Sequence, residues 1–185
     1  MNHTALTAAV TTLSDRGIVA YPTEYCYGLG CDPTDENAVR RILRLKRRSW
    51  TRGLIIIAAD LRQLTGLVDL SNKSLLDAPR SSWPGPHTWL LPALPRTPRW
   101  IRGQHHAVAV RVTAHPVART LCRRFGSAIV STSANRHGHS PLRTADRVHS
   151  EFGDKVDFIL VGKVGAASAP SSIRDAQSGQ ILRPG

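Results

Sequence analysis

The chain has 185 residues, enough for one domain with its own core or at most two small ones. Hydrophobic residues at 41% and charged residues at 21% are the proportions of a globular protein and exclude wholesale disorder. Lys and Arg number 25 against 13 Asp and Glu, a net charge of +12 that draws polyanions such as nucleotide phosphates, RNA or an acidic surface, although such an excess also serves plain solubility.

Leu6, Val10 and Leu13 at helical spacing predict a first helix that stops at Gly17, and Ile18 to Tyr21 reads as a short buried strand ended by Pro22. A glycine-bearing loop follows from Thr23 to Asp32. A second helix starts at Thr34 or Asp35, carries Val39, Ile42 and Leu43 on one face, and runs out into Lys46-Arg47-Arg48. Leu54 to Ala59 has no polar alternation and reads as a strand buried on both faces. That run is also the longest aliphatic one, far short of the roughly 20 residues of a membrane span. No basic stretch precedes an apolar one at the N-terminus, so no secretory signal is read and the expected location is the cytoplasm.

Leu61 to Leu70 is expected to be helical, and Ser71 to Pro86 is rich in turns. Strands are expected at Thr88–Leu91, Ala107–Val112, Ala128–Thr132, Asp157–Val161 and Ile181–Arg183. Helices are expected from His115-Pro116 to Gly126 and over Thr144–Phe152. Strands alternating with helices at this rhythm predict one α/β domain over residues 1–185, with no repeat or linker dividing it.

Four polar segments follow strand candidates, where open α/β sheets bind ligands. Tyr21 to Gly30 joins a strand end, hydroxyls and two glycines, but holds neither GxGxxG nor GxxxxGK. Lys46 to Gly53 concentrates cations beside a strand, fit either to fork onto phosphates or to complement a helix C-terminus. Ser131-Thr132-Ser133-Ala134-Asn135 offers hydroxyls and an amide, which bind anions or make turns. The tail holds Pro170-Ser171-Ser172-Ile173-Arg174-Asp175 and an ending with Arg183.

Other schemes fail. HExxH and GxSxG are missing, and the histidines are scattered apart from His105-His106, so no metal cage is expected. Cys26, Cys31 and Cys122 are odd in number and form no CxxC pair, which argues against a disulfide scaffold or a zinc site. Nothing partners Cys26 as a nucleophile, and it reads as a packing thiol.

Taken together, these segments resemble the YrdC-like family of threonylcarbamoyl-AMP synthases, and especially its short bacterial members. The resembling pieces lie in one order along nearly the whole chain. They are Tyr21-Pro22-Thr23-Glu24 with Gly28-Leu29-Gly30-Cys31-Asp32-Pro33, then Leu45-Lys46-Arg47-Arg48 with Gly53-Leu54, then Trp83-Pro84-Gly85-Pro86-His87-Thr88. Ala109-Val110-Arg111-Val112-Thr113, Ser131 to Asn135, Pro170 to Asp175 and the Arg183 ending complete the set.

The resemblance implies a twisted, open mixed sheet with flanking helices and a basic concave cavity. It implies an enzyme that joins L-threonine, bicarbonate and ATP into threonylcarbamoyl-adenylate and pyrophosphate, with Mg²⁺ accompanying ATP and no protein metal site. The product would pass to a tRNA threonylcarbamoyl transferase complex. Lys46 and Arg48 match the family's KxR and would act as the catalytic phosphate clamp. Ser133, Asn135 and Arg183 would join them at ATP, and Thr23, Arg111, Ser131 and Ser172 would bind threonine. The family usually places Pro directly after KxR; here Ser49 stands there, followed by Trp50 and Arg52, and the loop backbone is freer. The rival reading is a non-catalytic tRNA or double-stranded-RNA-binding module of the same fold, with no membrane association in either case.

Overall fold

The computed structural model describes residues 2–136 and 138–185. Helix α1 (His3–Ser14) is capped by the Asn2 side chain, which accepts from the Thr4 and Ala5 N–H groups, and it buries Leu6, Ala9 and Leu13. It ends earlier than the glycine signal suggested. Arg16, not Gly17, takes the left-handed turn, at φ 64. Gly17 is instead needed for close approach, since a Cβ there would meet Thr12 Cγ2 at 2.5 Å.

Strand β1 (Val19–Pro22) pairs antiparallel with β2 (Tyr27–Gly30), a strand that lies inside the expected loop. Gly28 and Gly30 hid it, because glycine carries little strand propensity. Helix α2 (Glu36–Leu45) starts at Asp35, whose carboxylate accepts from Ala38 N–H. Strand β3 (Ile55–Ala58) follows as expected. The helix expected over Leu61–Leu70 is only a 3₁₀ turn, Leu61–Leu64. Thr65 and Gly66 are poor helix formers, and Val68 is taken by a β-bridge to Ala93.

The turn-rich stretch contains a further 3₁₀ turn, Lys73–Leu76, and the short helix α3 (Asp77–Ser82). Strand β4 (His87–Pro92), the single-turn helix α4 (Arg99–Arg102) and strand β5 (Ala107–Val112) come next. Helix α5 (Pro116–Phe125) has His115 as N-cap and a left-handed Gly126 at φ 83 closing it, as the sequence signalled. The remaining elements are β6 (Ile129–Val130), β7 (Thr132–Ser133), α6 (Ala145–Phe152), β8 (Phe158–Ile159), β9 (Ser172–Asp175) and β10 (Ile181–Arg183).

Two hydrogen-bonded sheets replace the single one expected. Their orders are β7-β2-β1-β8 and β10-β9-β4-β5-β3-β6. Both are mixed: β1 runs parallel to β8 and antiparallel to β2, while β3 runs parallel to β5 and antiparallel to β6. The expected strand Ala128–Thr132 is split between them. Ile129 and Val130 pair with β3, whereas Thr132 and Ser133 pair with β2. Ser131 is the joint, so the polar segment after it stands where the two sheets diverge.

Side-chain alternation separates two cores. Ala20 of β1, Leu29 of β2, Ile56 of β3, Val110 of β5 and Ile42 of α2 share one. Val19, Tyr21 and Ile57 pack with α1 and α5 in the other. Truncating a fully buried member such as Ile42 to Ala costs about 2–5 kcal/mol. Strand β5 shows how the site is cut from this frame. Val108, Val110 and Val112 are buried, while Ala107, Ala109 and Arg111 line a cavity. Two small residues open the space and the arginine charges it.

Candidate active site

The cavity holds about 690 Å³. Thr23, Lys46, Arg48, Arg111, Ser131, Ser133, Asn135 and Arg183, all expected at the site from the sequence, line it together. Arg52, Arg102 and His105 line it too. Arg102 went unnoticed and His105 was weighed only as a metal ligand, because neither belongs to a polar segment after a strand; a run of cations around α4 was the signal for Arg102.

Helix α2 sets the cationic end. Lys46 is its C-cap, and the Lys46 ammonium donates to Ser133 O at 2.5 Å, Asn135 O at 3.0 Å and Asn135 Oδ1 at 2.8 Å. Burial, then the neighbouring Arg48 charge, lowers the Lys46 pKa to about 8. Arg47 adopts φ 48 and points outward, with Arg48 N–H closing back onto Leu43 O. This left-handed step returns Arg48 to the cavity while Arg47 stays in solvent. One Arg48 terminal nitrogen donates to Gly53 O at 3.0 Å, and its Nε is buried without a partner. Burial, then Arg52 and Arg183, pushes the Arg48 pKa down.

At the other end, Arg111 is buried at 7% exposure on a strand flanked by β4 and β3, so it is no edge cation. Arg111 Nη1 lies 3.1 Å from Glu24 Oε2, a pair without hydrogen-bond geometry, since that oxygen and Arg111 Nε both lack a hydrogen-bond partner. Glu24 is a residue the sequence reading left without a role. Its Oε1 accepts from Thr113 Oγ1 at 2.7 Å and from the N–H groups of Ala114 and His115. Burial raises the Glu24 pKa, but the Arg111 charge and these hydrogen bonds outweigh it and hold the carboxyl below its ordinary value. The buried Thr23 hydroxyl donates to Cys26 O at 2.7 Å, so its oxygen is left as an acceptor.

Ser172 departs from its expected place. It is not among the lining residues; its hydroxyl meets His87 Nδ1 at 3.0 Å. Ser171 and Ile173 line the cavity instead, because successive residues of β9 face opposite ways. Arg183 donates to Ser171 O at 2.6 Å, and this ties the tail strand to the segment that enters β9. Trp50 lines a separate, smaller depression of about 420 Å³. Cys26 reaches the cavity wall, but burial pushes its thiol up to about 11, which keeps it protonated and unreactive at neutral pH.

Against known proteins, the Sua5/YciO/YrdC family model, whose description reads "Telomere recombination", matches residues 11–185. The chain belongs to the Sua5/YciO/YrdC family. It is 53% identical over 178 residues to the threonylcarbamoyl-AMP synthase of Methylococcus capsulatus, with 96% of each chain covered. It is 46% identical over 186 residues to the protein of that name from Xanthomonas campestris, covering 99% of this chain and 100% of the relative. P. abyssi Sua5 complexed with L-threonine superposes with a TM-score of 0.90 at 34% identity over 97% of this chain and 54% of that one. The present chain thus spans about half the length of that archaeal Sua5.

Within this Sua5/YciO/YrdC fold the charges are unevenly placed. Lys46, Arg48, Arg52, Arg102, Arg111 and Arg183 all line the cavity, and among the described residues no Asp or Glu does. Glu24 stands behind Arg111 and balances that cation alone. Among the described residues no group of three or more His, Cys, Asp or Glu side chains converges as a metal site. The cavity's donors therefore do not fit a protein-bound Mg²⁺. They fit anions.

Proposed function

We propose that the protein is an L-threonylcarbamoyladenylate synthase, a nucleotidyltransferase that makes threonylcarbamoyl-AMP and pyrophosphate from L-threonine, bicarbonate and ATP. One observation carries the reading: a single cavity is lined both by the cations Lys46 and Arg48 and by Arg111 and Thr23. The family membership and the names of the relatives support it.

The chemistry asks for positioning rather than for an enzyme nucleophile. Bicarbonate, taking up a proton, loses water to give CO₂; threonine's free amine adds to it and releases a proton to give a carbamate, whose oxygen attacks the α-phosphorus of ATP. The bond to the β-phosphate breaks and pyrophosphate leaves. Holding the two reactants in line and neutralising charge on the phosphates are the large terms in such a step. Arg48, with a free Nε, and Arg52, Arg102 and Arg183 would meet the triphosphate. Lys46 would share its ammonium between phosphate and the Ser133–Asn135 turn that it holds. Arg111 would take threonine's carboxylate. The Thr23 oxygen, its own proton committed to Cys26 O, would accept from the substrate's N–H, with Ser131 beside it. Ser133 and Asn135, held by Lys46, would meet the nucleotide beside it.

Mg²⁺ would enter as the counter-ion of ATP, held by phosphates and water. The labile product would pass to a tRNA threonylcarbamoyl transferase complex, and the +12 charge favours transient contact with tRNA at that stage. No helix of the described residues is long and apolar enough to cross a membrane. The test is pyrophosphate release from ATP with and without threonine and bicarbonate, together with detection of the labelled adenylate. Equal release without threonine overturns the synthase reading. RNA binding with no adenylate formed would replace it with an RNA-binding module of the same fold.

A further inference from the structure

Glu24 is mostly buried, charged and outside the cavity lining, yet it is the only carboxylate paired with a cavity cation among the described residues. Its two oxygens have different duties. Oε1 is filled by the Thr113 hydroxyl and the Ala114 and His115 N–H groups, which fixes the carboxylate to the turn between β5 and α5. Oε2 faces Arg111 Nη1 at 3.1 Å. The carboxylate cannot turn away without abandoning three donors, so Arg111 carries a permanent counter-charge. Lys46, Arg48, Arg52 and Arg102 have no such partner among the ion pairs of the described residues.

The cavity is therefore electrostatically divided. At the Arg111 end the cation is offset before any ligand arrives, while at the Lys46–Arg48 end no cation is paired with a carboxylate among the described residues. A ligand with several negative charges gains most at the second end. At the first end it would have to approach Glu24 as well as Arg111, and like charges in a partly desolvated site repel strongly. A zwitterion carrying one carboxylate loses little there, because its ammonium offsets the repulsion.

We propose that Glu24 is a specificity-determining residue: by neutralising Arg111 it reserves that end of the cavity for the amino-acid substrate and keeps phosphate groups out of it. The idea rests on the reading of Arg111 as the threonine carboxylate site. It adds that the selectivity of this site comes from a residue that touches no substrate and acts through Arg111.

Glu24→Gln tests it, since the amide oxygen still accepts from the turn while the charge is gone. In the unaltered protein, pyrophosphate should inhibit by competing with ATP and not with threonine. In Glu24→Gln, pyrophosphate should compete with threonine as well, so that the apparent KM for threonine rises several-fold with added pyrophosphate, while without pyrophosphate the threonine KM does not rise and the KM for ATP is nearly unchanged. A purely structural role would lower activity without creating this competition. Glu24→Asp, which keeps the charge, should remain free of it and covers the case in which Glu24→Gln does not fold. A folded Glu24→Gln protein with no competition between pyrophosphate and threonine overturns the proposal, as does competition in Glu24→Asp. Loss of the underlying reading looks different: Arg111→Lys would then leave the threonine KM unchanged, whatever Glu24 does.

Discussion

Lys46 Nζ lies 2.8 Å from Asn135 Oδ1, and the same ammonium also donates to the main-chain oxygens of Ser133 and Asn135. Two segments 89 residues apart in the chain thus meet through one charged group. The Ser133 hydroxyl donates to that same Asn135 oxygen at 2.8 Å, so the polar turn after Ser131 takes its shape from Lys46. The lysine is both a cavity cation and the peg of the opposite wall.

This predicts a pH dependence. The folded Lys46 ammonium has its pKa lowered from 10.5 to about 8. Above about pH 8 the free enzyme loses this cation, and kcat/KM for ATP should fall by about tenfold per pH unit. Stability moves the other way. Between about 8 and 10.5 the unfolded chain holds a proton that the folded one has released, so this group's unfavourable contribution, full at lower pH, fades as pH rises through that window. Lys46→Arg, charged throughout, should abolish the kinetic break. A break that persists in that variant assigns it to another group.

Arg47 and Arg48 should separate cleanly. Arg48→Ala removes charge-assisted donors from the cavity and should weaken ATP use by about 1.5 kcal/mol or more. Arg47→Ala should do much less, because that side chain points to solvent. Arg47→Gly should raise stability by up to about 1 kcal/mol, since a non-glycine residue at φ 48 is relieved of its left-handed strain. Denaturant melts and ATP titrations of the three variants check this; equal ATP losses at both arginines would mean a diffuse basic patch.

The unliganded cavity should be stabilised by anions. Burial, and after it neighbouring cations, push the pKa values of Lys46, Arg48 and Arg183 down, so pyrophosphate or ATP should raise the melting temperature, by an amount worth about 2.7 kcal/mol at a hundredfold excess over Kd. The gain should shrink in Lys46→Ala and Arg48→Ala. RNA association driven by the +12 charge should collapse between low and physiological salt, while ATP binding by directed contacts loses far less. RNA affinity that survives salt in a protein making no adenylate would favour the binding module.

Arg111→Lys should raise the threonine KM at least several-fold and leave ATP affinity, measured by calorimetry, nearly unchanged. A lysine supplies a point charge but not the planar fork that matches a carboxylate. Unchanged threonine dependence with an intact circular dichroism spectrum would leave the carboxylate partner elsewhere.

Local signals carried much of this protein on their own. An N-cap at Thr34 or Asp35, Gly126 as helix stop and the unbroken run at β3 are short-range chemistry, and short-range chemistry is written in neighbouring residues. The polar segments at Thr23, Lys46 and Ser131 were visible for the same reason. What the sequence could not contain was decided by packing. The expected strand at Ala128–Thr132 is divided between two sheets, because only the contacts with β3 and β2 determine where it changes partner. Ser171 rather than Ser172 faces the cavity, since the phase of a strand's alternation is fixed by its neighbour's register. Glu24 was named in the Tyr21-Pro22-Thr23-Glu24 motif but given no role, as nothing in Pro22-Thr23-Glu24 says that Arg111 will fold against it. A buried charge finds its partner only in three dimensions, and there the low dielectric makes that partner decide what the site can bind.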